Sequence, residues 1–261
     1  MTAASTTTKT KIATPTRKHF ALTGPSRAFD PRIDAARGDL ADIRLSDRIF
    51  ASHYAAAVLR SVGRRAPLTA RVGGEPLSEV LGGEPFEVLE LANGHAWGIS
   101  PVDGAVGFVA IDALGPYAAA THIVTCPAAD APPLGTRLMG EAANATPLAA
   151  TIPDFGSVAE ALVGAPHVPG GRSGAGVDAG GLVFLALSLA GVPAPRFADL
   201  QAASLGHTID PGAPVLRGDL LFTGDGAAIA TGADHAVRTG ADGVELIPIA
   251  DLTVTLRRRL P

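Results

Sequence analysis

A glycine-rich stretch, Pro169-Gly170-Gly171-Arg172-Ser173-Gly174-Ala175-Gly176, leads into Asp178-Ala179-Gly180-Gly181-Leu182-Val183 and an apolar run that lasts to Ala190. This junction constrains the fold more than any other part of the chain. A helix that is apolar all round has to be buried, Asp178 can cap its start, and Gly191-Val192-Pro193 can end it. A loop that delivers the chain to a helix N-terminus is also where a nucleophilic cysteine gains most. Free N–H groups and the helix dipole stabilise a thiolate there and lower its pKa. The residue in that place is Ala179, which offers nothing to activate. The frame is that of an enzyme, with the reactive atom missing.

Around this helix the pattern mixes short helices and strands. Asp154 can cap a helix that ends near Gly164, and Ala198–Leu205, closed by Gly206, reads as another. Strands follow at Asp219–Phe222, Ala227–Thr231, Ala236–Thr239, Val244–Ile249 and Thr253–Arg258. Helices followed by strands in sequence predict an α+β domain over 154–261. Upstream the signals are all β. Leu68–Val72, Glu84–Leu91, His95–Ile99 and Ala105–Ile111 are separated by Gly-Gly, Asn93-Gly94 and Asp103-Gly104, which are turn and hairpin signals. Strands at this spacing predict a small barrel over 51–120. Residues 121–153 begin in the same way with Thr121-His122-Ile123-Val124-Thr125 but are too short for a full barrel, and read as a truncated second module. Residues 1–19 read as a disordered tail and 20–50 as an arm with one helical turn.

These segments resemble the NlpC-type cysteine peptidases, bacterial cell-wall hydrolases with a papain-like core. That family reads roughly G-x-P-Y-x-W-G-G, then D-C-S-G-L-V, R-G-D-L-x-F, H-V-G-I and a histidine about a dozen residues on. This chain has Gly164-Ala165-Pro166-His167-Val168-Pro169-Gly170-Gly171, then Asp178-Ala179-Gly180-Gly181-Leu182-Val183, Arg217-Gly218-Asp219-Leu220-Leu221-Phe222, Gly226-Ala227-Ala228-Ile229 and His235. The upstream half resembles the bacterial SH3-like modules that precede the catalytic domain in many members. The resemblance implies an α+β fold, with a small SH3-like β-barrel followed by a papain-like domain. It also implies that the catalytic positions are Ala179 for the nucleophile, Gly226 for the proton-transferring histidine and His235 for the orienting group. A thiolate mechanism needs all three, and two are lost. Pro169 in place of the family tryptophan and Gly180 in place of its serine add to the losses around one site, which points to natural degeneration.

No other group takes over the chemistry. Cys126, the single cysteine, begins a strand far along the chain from the helix, with only His122 nearby as a base. Ser173 has no His/Asp order that forms a triad, and reads as a loop residue bonded to backbone. His167, Asp178 and His235 lack the spacing of metal ligands, so neither metal nor cofactor is expected. The residues left to hold a ligand are Asp178, Tyr54, Ser173 and His167. Asp178 corresponds to the acid with which the family holds the free amine of a stem peptide, and is equally a helix cap. Tyr54 would face a groove between the domains.

A net charge of −4 gives no reason for nucleic-acid binding, and no apolar stretch is long enough to span a membrane. The Thr/Ser-rich N-terminus has no apolar signal region, so the chain reads as cytoplasmic. All three lysines lie within the first eighteen residues, and every later basic residue is arginine. With the Ala and Gly content, that reads as a coding bias. The leading expectation is a pseudoenzyme that binds or scaffolds another protein, such as an active relative. The alternatives are an active γ-D-glutamyl endopeptidase or amidase that uses unrecognised groups, and a cell-wall peptide sensor. With Pro169 for tryptophan and a shortened second module, the groove should be reduced or filled and a stem peptide should bind with Kd above roughly 1 mM.

Overall fold

The computed structural model describes residues 28–128 and 130–261. The tail expected over 1–19 and the start of the arm lie outside the described residues. Two antiparallel sheets carry the structure. The first has seven strands in the order Pro76–Val80, Ala66–Thr69, Val106–Ala110, His95–Ile99, Pro85–Ala92, Val58–Val62 and Leu114–Gly115. Its central hairpin turns at Asn93-Gly94, both with positive φ, as a tight hairpin turn demands. Alternation along Pro85–Ala92 sends Phe86 and Val88 into a core with Val62, Leu68, Val80 and Val109, and Leu89 to the opposite face.

That opposite face is covered by the arm. Leu40–Asp42 pairs in parallel with His53–Ala55, and Asp42 caps a 3-10 turn over Ile43–Leu45. The arm thus contains a short strand as well as the expected turn. Arg37 stacks over the Trp97 ring at 4.3 Å and pairs with Glu90, while Arg44 pairs with Glu87. Trp97 is buried under the arm with Leu89 and Val106, outside the main core of the sheet.

The second sheet has six strands in the order His207–Thr208, Val254–Arg259, Leu220–Thr223, Ala227–Ala230, His235–Gly240 and Gly243–Pro248. Three helices accompany it: α1 (Phe155–Ala161), α2 (Ala179–Leu189) and α3 (Ala198–Ser204). Helix α2 is buried on all sides, between Val158, Ala159 and Leu162 and the sheet's Leu220, Ile229 and Val237. Each of its large apolar side chains contributes about 1.5–3 kcal/mol on burial, which is why a run without an amphipathic stripe still forms a stable helix. Residues 121–153, read as a truncated module, form a three-stranded sheet (Arg137–Leu138, His122–Val124, Ala145–Pro147). Ile123 and Leu134 join the core around α2, while Arg137 N–H bonds to Gly82 O of the first sheet. The segment spans the seam between the two halves.

The seam is ionic. Arg172, 2% exposed, donates both terminal nitrogens to Glu84 (2.9 and 2.6 Å) and lies 2.9 Å from Asp103. Its backbone N–H and Nε bond to Glu79 Oε1 and O. Arg196, 1% exposed, donates Nε to Ser78 Oγ, which donates to Asp103. Glu79 also pairs with Arg65. Four carboxylates (Glu79, Glu84, Asp103, Asp178) thus meet four guanidinium groups (Arg65, Arg137, Arg172, Arg196), and the charge closes to neutral, as burial of ions requires.

Arg217 and Asp219 of the R-G-D segment have structural work. Arg217 ties Asp154 and Glu160 to the sheet, and the buried Asp219 accepts from Arg259 Nε (2.6 Å), Arg259 Nη2 and Leu216 N–H. Burial alone would raise the Asp219 pKa; the hydrogen bonds from Arg259 and Leu216 outweigh it and hold the carboxyl below its usual range. A depressed folded-state pKa stabilises the fold above the unfolded value, near 3.9, and that contribution is lost as pH falls through the folded value. Acid titration of unfolding free energy should therefore fall less steeply below about pH 4 for Asp219→Asn than for the parent; equal slopes would refute the assignment.

Candidate functional site

The start of α2 opens onto a cleft of about 610 Å³. Its walls come from the arm (Arg32), the segment before the glycine-rich hairpin (His167), the α2 start (Asp178, Ala179, Gly180), the α3 start (Arg196 to Asp199) and the second sheet (Asp225, Gly226, Arg238 to Ala241). The expectation of a filled groove is not met. Pockets of roughly 300–1,000 Å³ take small ligands, and this one is inside that range. Arg32 reaches across from the arm, pairs with Asp199 at 2.6 Å and stacks on Phe197 at 4.5 Å, giving the cleft a wall that no loop of the second half provides.

Although the cleft is open, its floor is shut. Ala179 is the first residue of α2, and Gly226 directly precedes the strand Ala227–Ala230. A Cβ built on Gly226 would lie 2.9 Å from the Ala179 Cβ. Carbon atoms in good contact sit about 3.5–4.0 Å apart, so even a methyl at 226 is too close unless the helix start or the strand shifts. Gly180 is similarly enclosed: a Cβ there would meet Arg196 O at 2.7 Å and Ala198 N at 3.0 Å. The chain following α2 occupies the space a serine side chain would need.

Asp178 caps α2 and is fully engaged. Its Oδ1 accepts from Gly181 N–H (2.7 Å) and Arg196 Nη1 (2.9 Å); its Oδ2 accepts from Gly170 N–H (3.0 Å) and Arg196 Nη2 (2.7 Å). Both oxygens are taken by a bidentate guanidinium whose own charge is buried. Asp178→Ala removes a cap worth about 1 kcal/mol and strands Arg196, so the loss should reach about 2–3 kcal/mol. Urea unfolding should show it, and a change within 1 kcal/mol would mean that the pair is incidental.

The other site residues divide. His167 lines the cleft and is exposed. Ser173 is fully buried in the hairpin Arg172–Ser173/Gly176–Val177 and only weakly accepts from Ala175 N–H, outside the cleft lining. Tyr54 does not face a groove between the domains. Its hydroxyl donates to Ile49 O (2.8 Å) within the arm, where the ring packs beside Ala36, Ala41 and Ala51. His235 is the first residue of its strand, exposed beside the turn that follows Thr231, and is not part of the cleft lining. The hairpin register, Ala230 opposite Ala236 and Ala228 opposite Arg238, carries the chain away from His235 toward Gly226. Arg238 and Thr239 therefore occupy the wall beside Gly226, with Arg238 Nε bonded to Glu245 at 2.9 Å. Asp225, also in the wall, accepts from Thr223 Oγ1, which holds its pKa below the usual range. Among the described residues no group of three or more His, Cys, Asp or Glu is placed to hold a metal ion, and no helix is long and apolar enough to cross a membrane.

No family model and no curated protein matches the chain. Solved structures do. A novel NlpC/P60 endopeptidase from Photobacterium damselae subsp. piscicida aligns over 77% of this chain and 66% of its own length, at 12% identity and a TM-score of 0.53. The chain shares its fold with that endopeptidase. At this identity the likeness shows the fold and no more. An NlpC/P60 family protein from Bacillus cereus ATCC 10987 aligns at 19% identity over 78% of this chain, with a TM-score of 0.39. The peptidoglycan hydrolase RipB from Mycobacterium tuberculosis aligns at 26% identity over 41% of it, with a TM-score of 0.36. The chain spans 63% of the length of each of these two proteins.

Sequence reasoning missed Arg32, Arg196 and Arg238, which line the cleft, and Arg172, which lies in the ionic seam. The one signal for them was the use of arginine to the exclusion of lysine after residue 18. A buried bidentate pair needs the planar guanidinium fork, and lysine cannot supply it.

Proposed function

We propose that this chain is a catalytically inactive relative of the NlpC-type cell-wall peptidases that acts as a binding or scaffolding protein, with its first sheet serving as an SH3-like module. One observation carries the reading: the position that would bear the base stands so close to Ala179 that no side chain fits at 226 without a shift of strand or helix. The loss of chemistry has been followed by closure of the space, and the walls around it have been kept. A thiolate mechanism without thiolate or base retains only residual effects of binding. Purified protein incubated with L-Ala-γ-D-Glu-containing stem peptides should release no fragments detectable by mass spectrometry, beside an active NlpC/P60 hydrolase as control. Cleavage that persists through repeated purification would overturn the reading and favour the active alternative.

The open cleft gives the sensor alternative its own support, since 610 Å³ is room enough for a small peptide. Against it stands Asp178, whose oxygens already hold Arg196 and would have to release a buried cation to take a ligand's amine. Calorimetric titration with the same stem peptide decides between the two. Heat of binding that disappears in Asp225→Ala, a cleft substitution remote from the Arg196 pair, would promote the sensor reading.

A further inference from the structure

A second recess lies on the first sheet. It encloses about 330 Å³ between Leu91, Ile111, Leu114, Gly115 and Pro116, with Arg60 at its rim. Leu91 is 57% exposed and Ile111 37% exposed, so the recess presents aliphatic side chains to solvent. The walls are fixed. Ser61 Oγ donates to Ala118 O (3.0 Å) and accepts from Ala118 N–H (2.9 Å), holding segment 114–118 along the strand Val58–Val62. Among the described residues the Arg60 guanidinium has no hydrogen-bond or ion-pair partner, whereas Arg64 and Arg65, just along the chain, pair with Asp112 and Glu79.

We infer that this recess is a docking site for a peptide segment of a partner protein that carries a leucine-sized aliphatic side chain next to a carboxylate. The floor offers apolar contact and no side-chain donor or acceptor, which excludes sugars, whose hydroxyls need partners. The size suits one or two side chains, at the small end of ligand pockets. The single rim charge is a half-buried, unpartnered guanidinium, complementary to a carboxylate in bidentate geometry. The inference rests on the reading of the chain as a binding protein, and places the contact away from the old cleft.

The test is selection of a random peptide library displayed on phage against the immobilised full chain. Selected peptides are then synthesised and titrated against the parent, Arg60→Gln, Leu91→Asp and Asp225→Ala. Both groove positions are at the surface, so these variants should fold, and circular dichroism checks that they do. The expected result is a shared aliphatic-plus-acid pattern, with affinity reduced about tenfold or more by Arg60→Gln and by Leu91→Asp and unchanged by Asp225→Ala. No enriched pattern, or peptides that bind Arg60→Gln as well as the parent, would overturn it. So would a concentration-dependent dimer that Leu91→Asp disperses, which would give the recess to a second copy of this chain. Cleavage of stem peptides in a separate assay would defeat the inactive reading, while peptide affinity lost in Arg60→Gln and Leu91→Asp would still support the recess.

Discussion

On the proposed inactive reading, installing a cysteine and a histidine together, Ala179→Cys with Gly226→His, should leave the protein without measurable hydrolysis of stem peptides. Where a site has merely lost two side chains, restoring them can restore a nucleophile and its base, and removal of such groups costs several orders of magnitude in rate. Here the restoration fails on space. A Cβ at 226 already falls 2.9 Å from that of Ala179, so the imidazole has to push strand and helix apart. Both are anchored: α2 is buried on every side, and Asp178 at its start is tied to Gly170 and Arg196. Overpacking of this kind typically costs 1–3 kcal/mol. The double variant should thus unfold at lower urea concentration than the parent. Turnover from the double variant would show that the floor opens readily and that the closure seen between Ala179 and Gly226 is soft. The single variant Ala179→Cys separates the two effects: it avoids the side chain at 226, so its stability should stay near that of the parent while its activity stays absent.

The helix and its cap were legible in the sequence because each depends on local signals, whereas the pairing of Ala179 with Gly226 came only from the family resemblance. An Asp before an apolar run marks a helix start, and Gly-Val-Pro marks its end; the structure has α2 from Ala179 to Leu189 with Asp178 as cap. The strand Val58–Val62 was not legible, since its apolar residues face outward at Val58 and Leu59 and inward at Val62, and no turn dipeptide brackets it. The role of His235 failed on register. Its place depends on where the hairpin turns, and the turn at 231–234 puts Arg238, and not His235, beside the cleft. The cleft's openness was misjudged for a similar reason. The resemblance set Pro169 where an aromatic wall was expected, but the wall formed by Arg32 on Phe197 joins residues far apart in the chain. Most opaque was the ionic seam. Arg172 and Glu79 are separated by 93 residues, and nothing periodic connects them; only the tertiary fold brings four acids and four arginines to one place.

The seam should carry a large share of the fold's stability, and Arg172→Ala should reveal it. The guanidinium, 2% exposed, holds Glu84 at 1% exposure through two hydrogen bonds and lies against Asp103, which is fully buried. Burial alone would favour the uncharged form of Arg172, and the fields of Glu84 and Asp103 overcome it, so the cluster is held together by mutual compensation. Removing one member strands the others. Breaking a buried pair by deleting one partner costs about 3–5 kcal/mol, because the remaining charge cannot return to water, and a protein of ordinary stability has about 5–15 kcal/mol in total. Arg172→Ala should therefore lower the unfolding free energy by a large fraction of that total, well beyond the effect of Arg64→Ala, which breaks only an exposed pair with Asp112. Compensation also predicts the sign of the coupling. Adding Glu84→Gln to Arg172→Ala removes the stranded charge, so the double variant should be more stable than Arg172→Ala alone, whereas Glu84→Gln in the parent background should destabilise. Additive losses in that cycle would mean that the carboxylate is reached by water and that the seam is held by packing. Recovery on removing the second charge would establish that the two sheets are joined by neutralised ions.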